Sequence, residues 1–313
     1  MIAAAAVQKP KVLRQGSRFA VIAPASPGKS ERVTAGQKEL ERLGFSVVLR
    51  EDLSPDGYFA SSASARHTEF LSALADPASD ALIATRGGYG SVYLIEQGLP
   101  QFLALKPLIG FSDLTTLQIY LWRKHRWTGF YGPMLAAGLD HGAGAPNGYD
   151  EESFRNALTR TSGTWTIPLQ GETLQAGSVE GIVLGGAMTL FEATIGTPWE
   201  LNTDGAILIL EDRAMKPYQI DRVLMHLKHA GKLSKIRGLV LGDFPDCEPP
   251  IAASPSVRDV CARILAPLGI PIVYGAPIGH TARSILTIPL GVRARMNAEG
   301  GGTLELLEPA VIE

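Results

Sequence analysis

Residues 106–125 read KPLIGFSDLTTLQIYLWRKH, a short apolar run followed at once by a longer amphipathic stretch. The run KPLIGF (106–111) predicts a buried strand, and DLTTLQIYLWRKH (113–125) has the length and the apolar spacing of a helix. A strand that leads directly into a helix is typical of a parallel sheet, because parallel strands need a crossover connection. The segment therefore predicts one βα unit.

The same alternation extends in both directions along the chain. Toward the N-terminus we expect strands at 18–24, 45–49 and 81–87, and helices from Ser30 onward and at 64–76. After residue 180 we expect strands at 181–186, 206–211, 238–244 and 271–280, helices at 217–231 and near 255–267, and short strands at 284–290, 293–297 and 303–307. The alternation predicts two α/β halves.

The region between the two halves has a different composition. Residues 138–150 are rich in Gly, Pro and Asn and lack periodicity, which indicates a linker or an exposed loop. The runs 164–169 and 174–181 are compatible with a small hairpin. We therefore expect the halves to be joined by an irregular segment.

The composition excludes several classes of protein. The 313 residues are 45% hydrophobic and carry a net charge of −2, which is typical of a folded chain and gives no basic footprint for nucleic acid. No run approaches the ~18 apolar residues of a membrane span. The short run Met1–Val7 lacks the charged flank of a secretion signal, so we expect a cytoplasmic protein. Cys247 and Cys261 form no metal-binding or disulfide pattern.

Three chemically capable side chains come at the ends of predicted strands, namely Ser112, Glu211 and His280. Ligands of an open parallel sheet bind beyond the carboxyl ends of its strands, so these residues indicate a shared site. There the histidine would accept the serine proton and the carboxylate would orient the histidine. The G-x-S-x-G pattern of a nucleophile elbow is incomplete, because Leu114 replaces its second glycine. Structural alternatives stay open: a helix cap for Ser112, an ion pair with Arg213 for Glu211, and a buried structural role for His280.

The glycine-rich turn RGGYG (86–90) follows another predicted strand. Tyr93 stands where G-x-G-x-x-G needs its third glycine, so we expect no nicotinamide or flavin cofactor. The backbone N–H groups of the turn are available to an anion, unless the glycines serve only positive φ angles. His226 and His229 lack a third ligand, so we predict a solvated helix face and no metal site.

Six short motifs in order resemble the LD-carboxypeptidase family of serine peptidases, typified by muramoyltetrapeptide carboxypeptidase. The motifs are ATRGGYG (84–90), IGFSDLT (109–115), FYGPM (130–134), GIVLGG (181–186), LEDR with PYQIDR (210–213, 217–222) and GAPIGHT (275–281). The resemblance implies an N-terminal Rossmann-like parallel-sheet domain (1–140), a linker (141–175) and a second, C-terminal α/β domain (176–313). The family stretch that follows VLGG usually continues with Asn-Leu, whereas Ala187 and Met188 stand here.

The resemblance also implies roles for individual residues. By matching motif, Ser112 corresponds to the nucleophile, His280 to the base and Glu211 to the triad carboxylate. The backbone N–H groups of Gly88 and Asp113 correspond to the oxyanion hole. No cofactor and no metal are implied.

The implied reaction is removal of the terminal D-alanine from peptidoglycan tetrapeptides during cytoplasmic recycling, and family members are often homodimers. One alternative is the related branch of microcin C resistance peptidases, which act on an aminoacyl or peptidyl nucleotide conjugate. Those proteins have a substrate loop rich in aromatic residues, whereas residues 138–180 hold few, which favours the muropeptide branch. A non-catalytic two-domain binder of small ligands is the alternative from a different class.

Overall fold

The computed structural model of the chain describes residues 6–49, 54–101 and 104–313, so most of the Met1–Val7 run lies outside the described residues. Within these ranges the chain forms two β-sheets with helices packed on them. The strands are β1 (Arg18–Ile22), β2 (Ser46–Val48), β3 (Ala81–Ala84), β4 (Leu108–Gly110), β5 (Gly129–Tyr131), β6 (Trp165–Pro168), β7 (Glu172–Gln175), β8 (Ser178–Ala187), β9 (Ala206–Glu211), β10 (Gly238–Gly242), β11 (Ile272–Ala276), β12 (Ile288–Leu290), β13 (Arg293–Asn297) and β14 (Thr303–Leu306). The α-helices are α1 (Ser30–Arg42), α2 (Ala63–Ala75), α3 (Val92–Glu96), α4 (Leu114–His125), α5 (Glu151–Thr159), α6 (Met188–Glu192), α7 (Pro217–His229) and α8 (Val257–Leu265).

The first sheet has the strand order β12-β5-β4-β3-β1-β2. Strands β1 to β5 run parallel, and β12 pairs antiparallel with β5. Every residue of β3 and β4 is buried, as expected for strands covered by helices on both faces. The chain reverses its direction of travel across the sheet between β1 and β3, and the connections leaving these two strands open a crevice at their carboxyl ends. The predicted α/β class, with a Rossmann-like parallel sheet in the N-terminal half, is confirmed.

The second sheet has the order β6-β14-β13-β8-β9-β10-β11-β7, with β8 to β11 parallel at its centre. The hairpin expected from 164–169 and 174–181 is wrong, because β6 pairs with β14 and β7 pairs with β11 at the opposite edge. Only residues 169–171 join β6 to β7, and three residues span about 10 Å. The sheet must therefore curl until its two edges approach one another, a long-range arrangement that local turn signals do not encode.

The first sheet contains strands from both halves of the chain. Strand β12 follows the C-terminal βα units in the chain but pairs with β5 of the first sheet. The division expected at 1–140, 141–175 and 176–313 stays a prediction. Residues 138–150 are largely irregular, as expected, yet Leu139 and Tyr149 are buried, so the segment is partly packed. None of the helices in the described ranges is both long enough and apolar enough to cross a membrane.

Helix α1 packs closely on the segment that follows β5, and one glycine makes this possible. A Cβ atom on Gly36 would collide with the backbone carbonyl group of Leu135, whose Cα atom would lie 2.8 Å away. The atoms of Leu135 that the Cβ would meet all belong to the backbone, so rotation of a side chain cannot relieve the collision.

We therefore expect Gly36→Ala to lower the free energy of unfolding by about 1–3 kcal/mol, although Ala is the better helix former by ~1 kcal/mol. Thr34→Ala, at an exposed position of the same helix, isolates helix propensity and should be neutral or stabilising. Urea denaturation of the three proteins measures both effects. A Gly36→Ala protein as stable as the parent would contradict this close packing of α1 on Leu135.

Candidate active site

A cleft of about 470 Å³ lies where the carboxyl ends of strands from both sheets face one another. Gly88, Ser112 and His280 line it. Glu211 ends β9 beneath the cleft and is fully buried, and Asp113 is 2% exposed. The structure thus gathers the residues that the sequence placed at strand ends into one region.

Ser112 occupies a strained turn between β4 and α4. Its φ angle is +63°, in the left-handed region that non-glycine residues rarely adopt, as in a nucleophile elbow. A Cβ atom on Gly87 would lie 2.7 Å from Ser112 Cβ, so the glycine turn can pass over the serine only without a side chain. The helix-cap alternative is not what the structure shows. The Asp113 side chain makes no cap hydrogen bond, and Ser112 Oγ bonds to no described residue.

Glu211 and His280 form a buried hydrogen-bonded pair. The imidazole Nδ1 and the backbone N–H of His280 each lie 2.9 Å from Glu211 Oε2. A carboxylate only accepts, so Nδ1 carries the proton and Nε2 is the basic nitrogen. Burial lowers the pKa of His280, but the charge and the hydrogen bond of Glu211 outweigh it, and the net pKa lies above the usual value of 6.5. The pair has the polarity that a general base and its orienting carboxylate require.

Tyr131 is a third member of this arrangement, and the sequence patterns do not indicate it. Its hydroxyl donates a hydrogen bond of 2.5 Å to Glu211 Oε1 and accepts one of 3.4 Å from the Ser112 N–H. Burial and the neighbouring carboxylate raise the pKa of Tyr131 well above its usual value, so the hydroxyl stays a donor. The motif FYGPM contains this tyrosine, but nothing in the motif shows that it points at Glu211.

Two backbone amides lie in the segments next to Ser112, one in the glycine turn and one at the start of α4. Neither Gly88 N–H nor Asp113 N–H donates a hydrogen bond to another described residue. The Asp113 carboxylate accepts from the Ser91 N–H at 2.7 Å, and Ser91 Oγ donates to the Asp113 carbonyl at 2.7 Å. These bonds fasten the glycine turn to the start of α4, and burial raises the pKa of Asp113. The Asp113 amide lies at the N-terminus of α4, and free N–H groups such as these two suit a developing negative charge.

Some expected contacts are absent. Ser112 and His280 line the same cleft, but no hydrogen bond joins these two described residues. The alternative that Arg213 neutralises Glu211 is wrong, because the Arg213 guanidinium lies 2.6 Å from Asp246. Side chains close in sequence point in different directions at the end of a strand, so the short separation of Arg213 from Glu211 did not bring their charges together.

The sequence also predicts that the chain has no metal site and that His226 and His229 lie on a solvated helix face. Among the described residues, no group of three or more His, Cys, Asp or Glu side chains could hold a metal ion. His226 and His229 lie on an exposed face of α7, and His226 Nδ1 lies 2.8 Å from Glu192.

Two family models match the chain: the LD-carboxypeptidase N-terminal domain over residues 19–132 and the LD-carboxypeptidase C-terminal domain over residues 180–296. The probable murein peptide carboxypeptidase of Bacillus subtilis is 35% identical, over 92% of this chain and 91% of its own length. The microcin C7 self-immunity protein of Escherichia coli is 27% identical over 88% of each chain. The solved structure of muramoyltetrapeptide carboxypeptidase from Oxalobacter formigenes is 27% identical with a TM-score of 0.82, over 94% of this chain and 99% of that one.

The close approach of Gly279 to Glu211 gives a test of the Glu211–His280 hydrogen bond. Gly279 has a φ angle of +58°, and a Cβ atom on it would lie 2.5 Å from the carboxyl carbon of Glu211. We expect Gly279→Ala to displace this carboxylate and so to lower the pKa of His280 toward its usual value. NMR titration of the imidazole measures the shift.

Gly300→Ala is the matched control. Gly300 has a φ angle of +59°, and nothing lies within 4 Å of the position that its Cβ would take. It should carry the same backbone strain, on the order of 1 kcal/mol, and leave the His280 pKa unchanged. An unchanged pKa in Gly279→Ala as well would refute the geometry.

Proposed function

The chain belongs to the LD-carboxypeptidase family, as its motifs predicted, and we propose that it removes the terminal D-alanine from peptidoglycan tetrapeptides by a Ser112–His280–Glu211 triad. That it is a serine-type carboxypeptidase follows from the family itself. The observation that carries the finer proposal is the buried Glu211 carboxylate held 2.9 Å from His280 Nδ1, in a cleft that the strained Ser112 also lines.

Acylation comes first. Ser112 Oγ attacks the carbonyl carbon of the residue that precedes D-alanine, and His280 Nε2 takes the hydroxyl proton. The electron pair of the carbonyl bond moves to its oxygen, which the N–H groups of Gly88 and Asp113 receive. The carbon–nitrogen bond then breaks, and the imidazolium returns the proton to the leaving amine of D-alanine. The tripeptide is left as an ester on Ser112.

Deacylation restores the enzyme. Water attacks the ester carbonyl and gives a proton to His280 Nε2, and that proton passes to Ser112 Oγ as the ester bond breaks. One water is consumed, and tripeptide and D-alanine are the products. Glu211 stabilises each transient imidazolium, and Tyr131 holds the second carboxylate oxygen. These steps need no metal and no organic cofactor, so we propose none.

The charge and lining of the cleft favour a tetrapeptide. In a chain of net charge −2, the described cleft-lining residues include four cations and one carboxylate, Asp246. Arg32 and Arg213 are paired with carboxylates, which leaves Lys29 and Arg86 as the unpaired cations among these described residues. A tetrapeptide is an anion with several carboxylates, which suits such a cleft.

The nucleotide-conjugate alternative finds less support. Apart from His280, the one aromatic ring among the described lining residues is Phe111, which packs edge-on against His280 with ring centroids 5.0 Å apart. Phe111 is only 4% exposed, which leaves little ring face on which a base could stack. A non-catalytic binder gives no reason for a strained serine beside a buried His–Glu pair.

We propose further that the enzyme acts in the cytoplasm, where peptidoglycan recycling supplies tetrapeptide, and that it is a homodimer. Both extend the family resemblance. Light scattering coupled to size-exclusion chromatography tests the dimer, and fractionation of cells tests the compartment.

The substrate test uses L-Ala-γ-D-Glu-meso-diaminopimelate-D-Ala. We expect mass spectrometry to detect loss of one alanine, and the same peptide ending in L-Ala to react at least about 100-fold more slowly, because inversion misplaces the scissile carbonyl. Ser112→Ala should lose on the order of 10⁴ or more in rate while folding normally. Equal rates on both epimers, cleavage at an internal bond, or release of the acyl group from a nucleotide conjugate in preference to D-alanine would overturn the proposal.

The pH dependence tests the base. His280 must be neutral to accept a proton, and its pKa is raised, so the acid limb of kcat/KM should lie above pH 6.5. Glu211→Gln removes the charge that raises this pKa, so the limb should move to lower pH while kcat falls on the order of 10²–10⁴.

Tyr131→Phe should move the acid limb in the opposite direction. Without the hydroxyl donor, Glu211 Oε1 loses a partner, so the carboxylate attracts the imidazolium more strongly and the His280 pKa rises. Steady-state values of kcat/KM between pH 5 and pH 9 measure the acid limb in each of the two variants. Shifts of the same sign in Glu211→Gln and Tyr131→Phe would contradict the assignment of the base.

A further inference from the structure

The cations of the cleft fall into two groups. Arg32 contacts Asp140, and Arg213 lies 2.6 Å from Asp246, so each has a carboxylate partner. The side chains of Lys29 and Arg86 make no hydrogen bond or ion pair with any described residue. Positive charges that the fold itself does not use are the ones available to an anionic substrate.

Arg86 stands next to the reacting centre. It directly precedes Gly87, the residue that packs against Ser112, and it is two residues from Gly88. Two residues of backbone span no more than about 8 Å, and an extended arginine side chain reaches a similar distance from its Cα. Since Arg86 also lines the cleft, a group bound there beside the Gly88 amide lies within the length of its side chain.

The chemistry of a carboxypeptidase substrate fixes where its terminal carboxylate must lie. Only one nitrogen and one Cα separate the scissile carbonyl carbon from the carboxylate carbon, so the two carbons are about 3–4 Å apart. With the scissile oxygen ~3 Å from the Gly88 amide, the carboxylate falls within one residue's length of the glycine turn. A group that recognises it must project from that turn or from its immediate surroundings.

We propose that Arg86 binds the terminal carboxylate of the substrate and so restricts cleavage to the last residue. This inference rests on the proposed carboxypeptidase function. A guanidinium presents two parallel N–H donors that match the two oxygens of a carboxylate, which gives orientation as well as charge. An amidated or extended peptide has a neutral amide at this position in place of the carboxylate, so the ion pair with Arg86 does not form and the carbonyl over Ser112 is held less well.

Lys29 is the other unpaired cation of the cleft and is the alternative candidate for binding the carboxylate. Its neighbour Gly28 lies against Thr85, because a Cβ on Gly28 would be 3.4 Å from Thr85 Cβ. Lys29 therefore approaches the cleft from the connection after β1, whereas Arg86 belongs to the turn that carries Gly88. An ammonium is also a point charge that does not fix the plane of a carboxylate.

The experiment compares kcat/KM for the tetrapeptide with a free terminal carboxylate and for the same peptide with a terminal amide. The parent enzyme should prefer the acid by about 100-fold. Arg86→Gln should bring the ratio to within about 3-fold of unity by losing rate on the acid alone, and Arg86→Lys should fall between. Arg213→Gln, which removes a paired cation from the same cleft, should leave the ratio at the parent value.

A parent-like ratio in Arg86→Gln would overturn the assignment, as would a collapse of the ratio in Lys29→Gln instead. Calorimetry on Ser112→Ala with and without Arg86→Gln gives a readout that does not depend on turnover. The acid should bind more tightly than the amide only when Arg86 is present, and any other result refutes its role. Failure of the parent enzyme to release D-alanine from the acid would instead remove the proposed function, a result distinct from an unchanged ratio.

Discussion

The carboxylate of Glu211 has no exposed surface, and a buried charge is tolerated only where hydrogen-bond donors surround it. Its donors come from both halves of the molecule. The backbone and the ring of His280 follow β11 of the second sheet, whereas the hydroxyl of Tyr131 ends β5 of the first. The charge is therefore satisfied only when the two sheets are docked, and the same docking brings Ser112 to the cleft. Stability and site assembly depend on one interaction.

Close approach around this carboxylate is possible because glycines replace side chains on the elements that pass it. A Cβ on Gly242 would lie 2.5 Å from Glu211 Cβ, and one on Gly279 would lie equally close to its carboxyl carbon. On the other side of the cleft Gly87 gives the same clearance over Ser112, which itself adopts a positive φ angle. The site thus combines a buried charge, backbone strain and tight packing, each of which costs stability that the two large cores must offset. A requirement of this kind explains why glycine is frequent at the ends of the strands that meet there.

Much of this arrangement was accessible from the sequence, because βα alternation places strand ends at one edge of a sheet. That rule alone brought Ser112, Glu211 and His280 together from positions far apart in the chain. It failed where long-range geometry decides, as with β6 and β7, which lie at opposite edges of a curled sheet. It also gave no role to Tyr131, because the direction of a buried side chain depends on the docking of the halves, which no local pattern describes.

The two halves of the molecule contribute different groups to the site, and this affects which bond of a substrate can react. The first half holds Ser112, the free amides and Arg86, which are the groups proposed to fix the scissile carbonyl and the terminal carboxylate. The second half holds His280 and Glu211, which are proposed to carry the proton and to stabilise the imidazolium that carries it. Since no hydrogen bond joins Ser112 to His280, the distance between the proposed nucleophile and the proposed base is set by how the sheets dock and not by a contact of their own. Apo enzymes often hold such bonds long until substrate aligns them. A substrate that is positioned entirely by the first half would then react only if its carbonyl lies on the line toward His280 Nε2. The same geometry would therefore select the terminal residue and allow the proton transfer.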